Sequence, residues 1–349
     1  VIRIDPSPAP PVACVVAAAV LLAGCGVAEG ASTASDQPCS VTAADQEALE
    51  QALVDAGPGS RICVTGGLLE GTDVALQRSG EPGRPVVVVS QGAQVRSVVV
   101  EADHVVVQGF VTYGGEGIVL SGRDLVARDN EVRAARENGI SCEDGCADVV
   151  IEDNTVLDSD GSGVLVEGRR IIVQRNRISG SVQREAGDAD GIRFFGSGIR
   201  ILGNTITDIK DDGYEGEPPH TDCFQTFDNS RMPTVDAVIA DNVCRDVDHQ
   251  CLIATAQEAG TTGRLGRSRD IEFTGNECHV EGAQAVLVQW FPDVVLRDNS
   301  FAGPNLHRGA IYLDGSTNGA FFRNVVPDRV PPYELDEKSD AGFSTDEPN

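Results

Sequence analysis

Lysine is almost missing from this 349-residue chain, which carries only Lys210 and Lys338. Lys and Arg together number 27 against 54 acids, a formal net charge of −27. Phosphate backbones are held by clustered Lys and Arg, so a nucleic-acid partner is excluded as a first reading. Aromatics are scarce at 5%, with one Trp and one Met, whereas Gly is abundant at 39. Such a mix fits a helical bundle poorly and suits short strands and tight turns filled by Val, Ile and Leu. The charge reads first as a solvated exterior. Calcium binding is a lesser alternative, and a polyanionic substrate would require locally concentrated Arg.

The apolar stretch from Val12 to Ala23 is shorter than the ~20 residues a bilayer-spanning helix needs. With Arg3 before it and Leu22-Ala23-Gly24-Cys25 after it, the segment resembles a bacterial lipoprotein signal. That resemblance implies removal of residues 1–24 and acylation of Cys25. Residues 25–38 become a flexible tether, and the protein is exported and held on the outer face of the cell membrane by that lipid alone. An ordinary secretory signal with a chance cysteine is the alternative. Setting aside Cys14 and Cys25 leaves eight of the ten cysteines, an even number that points to disulfides in an oxidising compartment rather than to metal ligands.

An internal repeat dominates the rest. An alternating apolar strand closes on Asn in LVARDN at Asn130, VVIEDN at Asn154, IIVQRN at Asn176 and IRILGN at Asn204. AVIADN at Asn242, IEFTGN at Asn276, VVLRDN at Asn299 and AFFRN at Asn324 continue it. HVVVQGF at 104–110 reads as an earlier coil with Gly109 in place of Asn. The spacings are 24, 22, 28, 38, 34, 23 and 25 residues. A coil of that length with period-2 strands has no room for a helical crossover. It fits three short parallel strands stacked at ~4.8 Å per coil. Asn recurs at the turn because it tolerates left-handed backbone and its amide can bond the Asn above and below.

The pattern, over roughly 60–326, resembles the right-handed parallel β-helix repeat of pectate-lyase-like, carbohydrate-active proteins, and GEPGRPVVVV at 80–89 resembles their first coil. The expected fold is all-β, a single-stranded parallel β-helix of about nine coils over 39–326. An N-terminal capping helix is expected over Thr42–Ala56, with Asp45 three residues after Thr42 as its capping signal. Cys39 and Cys63 would pin that cap, and the acidic segment 327–349 is a cap or a disordered tail.

Regularity breaks between Asn176 and Asn276, where the spacings lengthen; insertions in a solenoid build groove walls. Aligning second strands by their Gly-apolar start puts Asp190, Asp222, Gln250, Gln284 and Arg308 in one column. Thr221, His249 and His307 fall in the column before it. Cys223 and Cys251 share a column, and Cys244 and Cys278 each follow their coil's Asn by two residues, so Cys223–Cys251 and Cys244–Cys278 are the expected bridges. Cys142–Cys146 is a local candidate.

His220-Thr221-Asp222-Cys223-Phe224-Gln225 resembles the H-x-D-x-x-Q run of bacterial β-helix proteins grouped with polysaccharide lyases, with Cys223 where that run usually has Gly. In a lyase or epimerase, Arg193 would neutralise a uronate carboxylate while His220, His249 or Lys210 takes the C5 proton. In a hydrolase, Asp190 and Asp222 would be paired carboxylates, one with a raised pKa. Gln225 joins the catalytic set, and Gln250, Gln284, Trp290 and Arg308 are candidate substrate contacts, Trp290 and Phe291 as a stacking platform. Asp211, Asp212 and Glu215 follow Lys210 and are the calcium candidates, or simply surface. His104 and His279 read as structural. A non-catalytic glycan-binding or scaffold module remains the third reading, because fold does not carry function. The expected partner is a polysaccharide or cell-envelope glycan, bound by a monomer.

Overall fold

A computed structural model describes residues 38–346 apart from 66, 68, 70, 182–187, 212–219, 229–230 and 257–265. The leader, the tether and Cys25 lie outside the described residues, as do Asp212 and Glu215. Among the described residues no helix is long and apolar enough to cross a membrane.

From residue 38 onward the chain winds as a right-handed parallel β-helix of about 12 turns. Each turn contributes to three parallel sheets. Sheet A holds the strands that lead into the Asn turn, such as Val235–Ala240 and Arg269–Thr274. Sheet B holds those that follow it, such as Val243–Val247 and Glu277–Val280. Sheet C holds the third set, including Ile192–Ser197, Phe224–Thr226, Leu252–Thr255, Gln284–Gln289 and Arg308–Leu313. Alternate residues point inward and form one apolar core along the stack, which includes Val149, Ile171, Ile201, Ile239, Ile271 and Val294. Phe224, Phe273, Phe301 and Phe321 stack along it with neighbouring centroids 6.0, 6.5 and 6.4 Å apart.

The Asn ladder is continuous from Asn130 to Asn324. Each Nδ2 donates to the next Asn's Oδ1, as in Asn176 to Asn204 at 3.0 Å and Asn204 to Asn242 at 3.0 Å. Each backbone N–H donates to that same oxygen, and the second Nδ2 hydrogen goes to a strand carbonyl, Val173 in the case of Asn204. Every polar atom of these buried amides is therefore satisfied.

Asn does not occupy the left-handed position. That position belongs to the residue before it: Asp129, Asp153, Arg175, Asp241, Asp298 and Arg323 have φ between 49° and 57°, and Gly203 and Gly275 share the slot. Gly109, with φ 77°, therefore aligns with Asp129, and the ladder position is filled by Phe110, whose N–H donates to Asn130 Oδ1 at 3.0 Å. A second left-handed column marks the entry to sheet A: His104, Asp124, Asp148, Arg170, Gly198, Asp236, Asp270, Asp293 and Asn318. Asp is the commonest side chain in both. Its short carboxylate tolerates this backbone and bonds locally, so part of the acid excess is turn chemistry. Several of these acids are matched by Arg one coil away, as in Arg170–Asp148 and Arg200–Asp236.

The ends differ from expectation in detail. The capping helix is Gln46–Val54, with Asp45 itself as N-cap accepting from Ala48 N–H at 2.9 Å. Thr42 instead lies in the strand Val41–Ala43, paired with Arg61–Val64, because Cys39–Cys63 ties this segment to the first coil. Leu49, Ala52 and Leu53 seal the core. At the other end the stack runs past 326: Tyr333–Leu335 pairs with Arg308–Leu313, and Ser344–Thr345 with Ala320–Phe322.

Candidate functional site

The register of sheet C matches the sequence alignment. Ile192 pairs with Phe224, Phe224 with Leu252, Leu252 with Val286 and Val286 with Ala310. Asp190, Asp222, Gln250, Gln284 and Arg308 thus line up one coil apart at the entry to the sheet. Arg193 and Gln225 are partners on its outer face.

Asp190 and Asp222 are both fully buried. Asp190 Oδ1 accepts from Asp222 N–H at 2.9 Å, and Asp222 Oδ1 accepts from Gln250 N–H at 2.7 Å. Asn138 does the same for Ser162 N–H at 3.1 Å. The column is thus a second polar ladder, at the corner between sheets B and C. Burial pushes the Asp190 carboxyl up to about 6, with the adjacent Arg193 charge opposing it. Asp222 is raised well above the usual range by burial first and by Asp190 second. Its Oδ2 has no donor among the described residues. With no solvent contact, these carboxyls cannot flank a glycosidic bond, so the paired-carboxylate hydrolase arrangement is not what this structure holds.

Arg193 is 8% exposed. Its Nη2 lies 3.0 Å from both Asp190 and Asp188, and its guanidinium sits 5.7 Å from the Phe227 ring. Gln225 is equally covered. The cover comes from the segment after Phe224–Thr226, which sequence reasoning missed. Phe227 packs edge-on against Phe195 at 4.9 Å. Arg231 reaches back to Glu143 at 2.6 Å and Glu167 at 2.8 Å, and lies over Phe195. The only clue was Phe195, an aromatic at an outward strand position.

The accessible chemistry lies beside this, at the turn from sheet B into sheet C. The His220 and His249 rings meet edge-to-face at 5.6 Å. His249 Nε2 is 3.5 Å from Asp211 Oδ2. Lys210 Nζ donates to Asp248 Oδ1 at 2.8 Å, and Asp211 N–H donates to Asp248 Oδ2 at 2.9 Å. Burial lowers Lys210's pKa, but Asp248 outweighs that and holds it above its ordinary value. The ammonium therefore stays charged and is no base near neutral pH. His220 is exposed and His249 half-buried. An imidazole oriented by a carboxylate beside a second imidazole can take up and return a proton.

The remaining candidates are scattered. Arg308 is ion-paired with Glu334. Trp290 is half-buried in left-handed backbone with φ 53°, and its carbonyl accepts from Arg267 at 3.0 Å. Phe291 is buried in the core and offers no platform. His104 pairs with Asp124 at 3.2 Å. Among the described residues, the metal-type side chains that converge are Cys223, Cys244 and Cys251, all disulfide-bonded.

The bridges are Cys223–Cys244 and Cys251–Cys278, not the expected Cys223–Cys251 and Cys244–Cys278. The columns were right, since Cys244 pairs in register with Cys278. In-register parallel neighbours, however, point their Cβ atoms the same way at strand spacing, wider than the ~3.8 Å a disulfide prefers. Inward cysteines of sheets B and C face each other across the core and meet there. Cys39–Cys63 and Cys142–Cys146 form as expected.

Residues 90–178 and 116–262 match the family described as right handed beta helix region. A search of curated protein sequences finds no match. Similar solved structures include an alginate lyase from Paenibacillus sp. str. FPU-7, at 17% identity and TM-score 0.55, covering 78% of this chain and 96% of that one. The tailspike protein of E. coli bacteriophage HK620, solved with a pentasaccharide, has 12% identity and TM-score 0.60, covering 86% and 60%. PfbA, a surface adhesin of Streptococcus pneumoniae, has 12% identity and TM-score 0.55, covering 80% and 86%. At these identities the likeness is one of fold.

Proposed function

The chain belongs to the right-handed beta-helix family, and on that footing we propose that it acts on a uronate-containing polysaccharide by proton abstraction. The observation that carries this reading is the His220–His249–Asp211 corner. His249, oriented by Asp211, takes the C5 proton. The electron pair forms the C4–C5 double bond, the C4–O bond breaks, and the departing oxygen is protonated from solvent. Return of a proton to the opposite face, with His220 as donor, would instead invert C5. Arg193 and Gln225 act from behind the corner. Arg193 fixes Asp188 and Asp190, and so the turn that carries Asp222 and Gln250.

A second reading, glycan binding without catalysis, is favoured by one observation. Arg193, Lys210 and Arg308 each already hold a carboxylate, so none of them is free to neutralise a uronate. Export and anchoring through Cys25, a monomeric state, and any calcium near Asp211 belong to the same proposal.

The chain from Cys25 onward would be incubated with uronate and neutral polysaccharides, following unsaturated-uronide absorbance and reducing ends together. A lyase signal abolished by His249→Ala supports the assignment. A signal that survives His249→Ala combined with His220→Ala refutes it, and silence in both channels favours the binding module. Mass spectrometry of the mature N-terminus would find diacylglycerol on Cys25 if the anchor is real.

A further inference from the structure

Tyr113 is the one large aromatic left mostly exposed among the described residues, at 58%. It stands on the outer face of sheet B, at a break in the stack. Between Val95↔Thr112 and Ser97↔Gly117 the earlier coil has Arg96 alone, while the later coil has Tyr113, Gly114, Gly115 and Glu116. Three extra residues bulge outward there, and bulges of this kind re-aim side chains. Glycine makes the bulge possible: Gly114 has φ 67°, and a Cβ on Gly115 would collide with Ser97 Oγ. The bulge walls a pocket of about 380 Å³ lined by Gly71, Gln94, Val95, Arg96, Tyr113 and Gly114.

We propose that this pocket is a glycan subsite for a neutral pyranose, separate from the histidine corner. The Tyr113 ring offers a face for the C–H side of a sugar, and Gln94 and the Asp73–Arg96 pair offer donors and acceptors for its hydroxyls. Asp73 selects against a uronate. It holds the Arg96 guanidinium through both Nε and Nη2, with Nε to Oδ1 at 2.8 Å, so no uncompensated cation faces the pocket. The Tyr113 coil lies four coils before that of Asp222, a rise of about 19 Å along the same side of the stack, where sheet B turns into sheet C. A polymer reaching the corner could therefore be gripped here at the same time. The subsite rests on the carbohydrate reading but not on the catalytic one.

Affinity electrophoresis of the full chain in gels containing glucomannan, xylan or polygalacturonate tests it, with thermal melts confirming that each variant folds. Wild type should be retarded by a neutral glycan, Tyr113→Ala should bind roughly tenfold more weakly, and Tyr113→Phe should be unchanged. His249→Ala should leave neutral-glycan retardation intact. The proposal is overturned if no neutral glycan retards the wild type, if Tyr113→Ala behaves as wild type, or if polygalacturonate retards it as strongly through Tyr113. Loss of activity in His249→Ala alone speaks only to the corner.

Discussion

Replacing Asp222 with Asn tests whether the buried corner carboxyl is a neutral acid. The side chain has no solvent exposure, one oxygen holding Gln250 N–H and the other without a donor. Burial and the neighbouring Asp190 raise its folded pKa. A raised acid binds its proton more tightly in the folded state than in the unfolded one. Its stabilisation is therefore complete below the unfolded value near 4 and is lost as pH rises toward the folded value. The slope is at most about 1.4 kcal/mol per pH unit, so between pH 5 and pH 7 wild type loses up to about 2.7 kcal/mol through this group. The amide introduced by Asp222→Asn keeps an oxygen for Gln250 N–H and does not titrate. Repulsion within the net charge of −27, and the Asp190 titration near 6, act in both proteins and largely cancel in the difference. Urea unfolding followed by Trp290 fluorescence at pH 5, 6 and 7 should show the variant gaining on wild type at each step. A gap that stays constant or narrows would refute the neutral-acid account, as would a variant weaker by more than about 2 kcal/mol at every pH.

Asn204→Ala removes two hydrogen bonds donated by Nδ2 and two accepted by Oδ1, and strands the buried Asn176 N–H. It should cost about 3–5 kcal/mol in denaturant melts. Asn324→Ala, at the half-buried end of the ladder, should cost about 1–2 kcal/mol, and equal losses would undo the ladder argument. Peptide mapping without reduction should recover Cys223 with Cys244 and Cys251 with Cys278; a Cys223–Cys251 peptide would show that bridging follows the columns after all. Arg231→Ala breaks the contacts to Glu143 and Glu167 and should lower stability by about 1–2 kcal/mol. It should also speed hydrogen exchange in the strand Ile192–Ser197, and unchanged exchange there would show that Arg231 does not cover the sheet.

Periodicity alone determined the coil, its three strands, the Asn ladder and the alignment of sheet C, because in a solenoid each residue's neighbours lie one repeat away along the sequence. Composition hinted at the corners too, since many of the Asp residues sit in left-handed turns. Tertiary structure decided what a column cannot express, namely direction and cover. Whether Cys223 faces Cys251 or Cys244 depends on where Cβ vectors meet across the core. Asp190 and Asp222 look like a catalytic pair in a column, yet each is buried inside the wall with one oxygen spent on the next coil's N–H group. Arg231 lies 88 residues from Glu143 in sequence, a contact made by a loop folding back along the axis that no repeat length encodes. The lipoprotein-like leader is a sequence reading throughout, since an address is read by its composition and not by a fold.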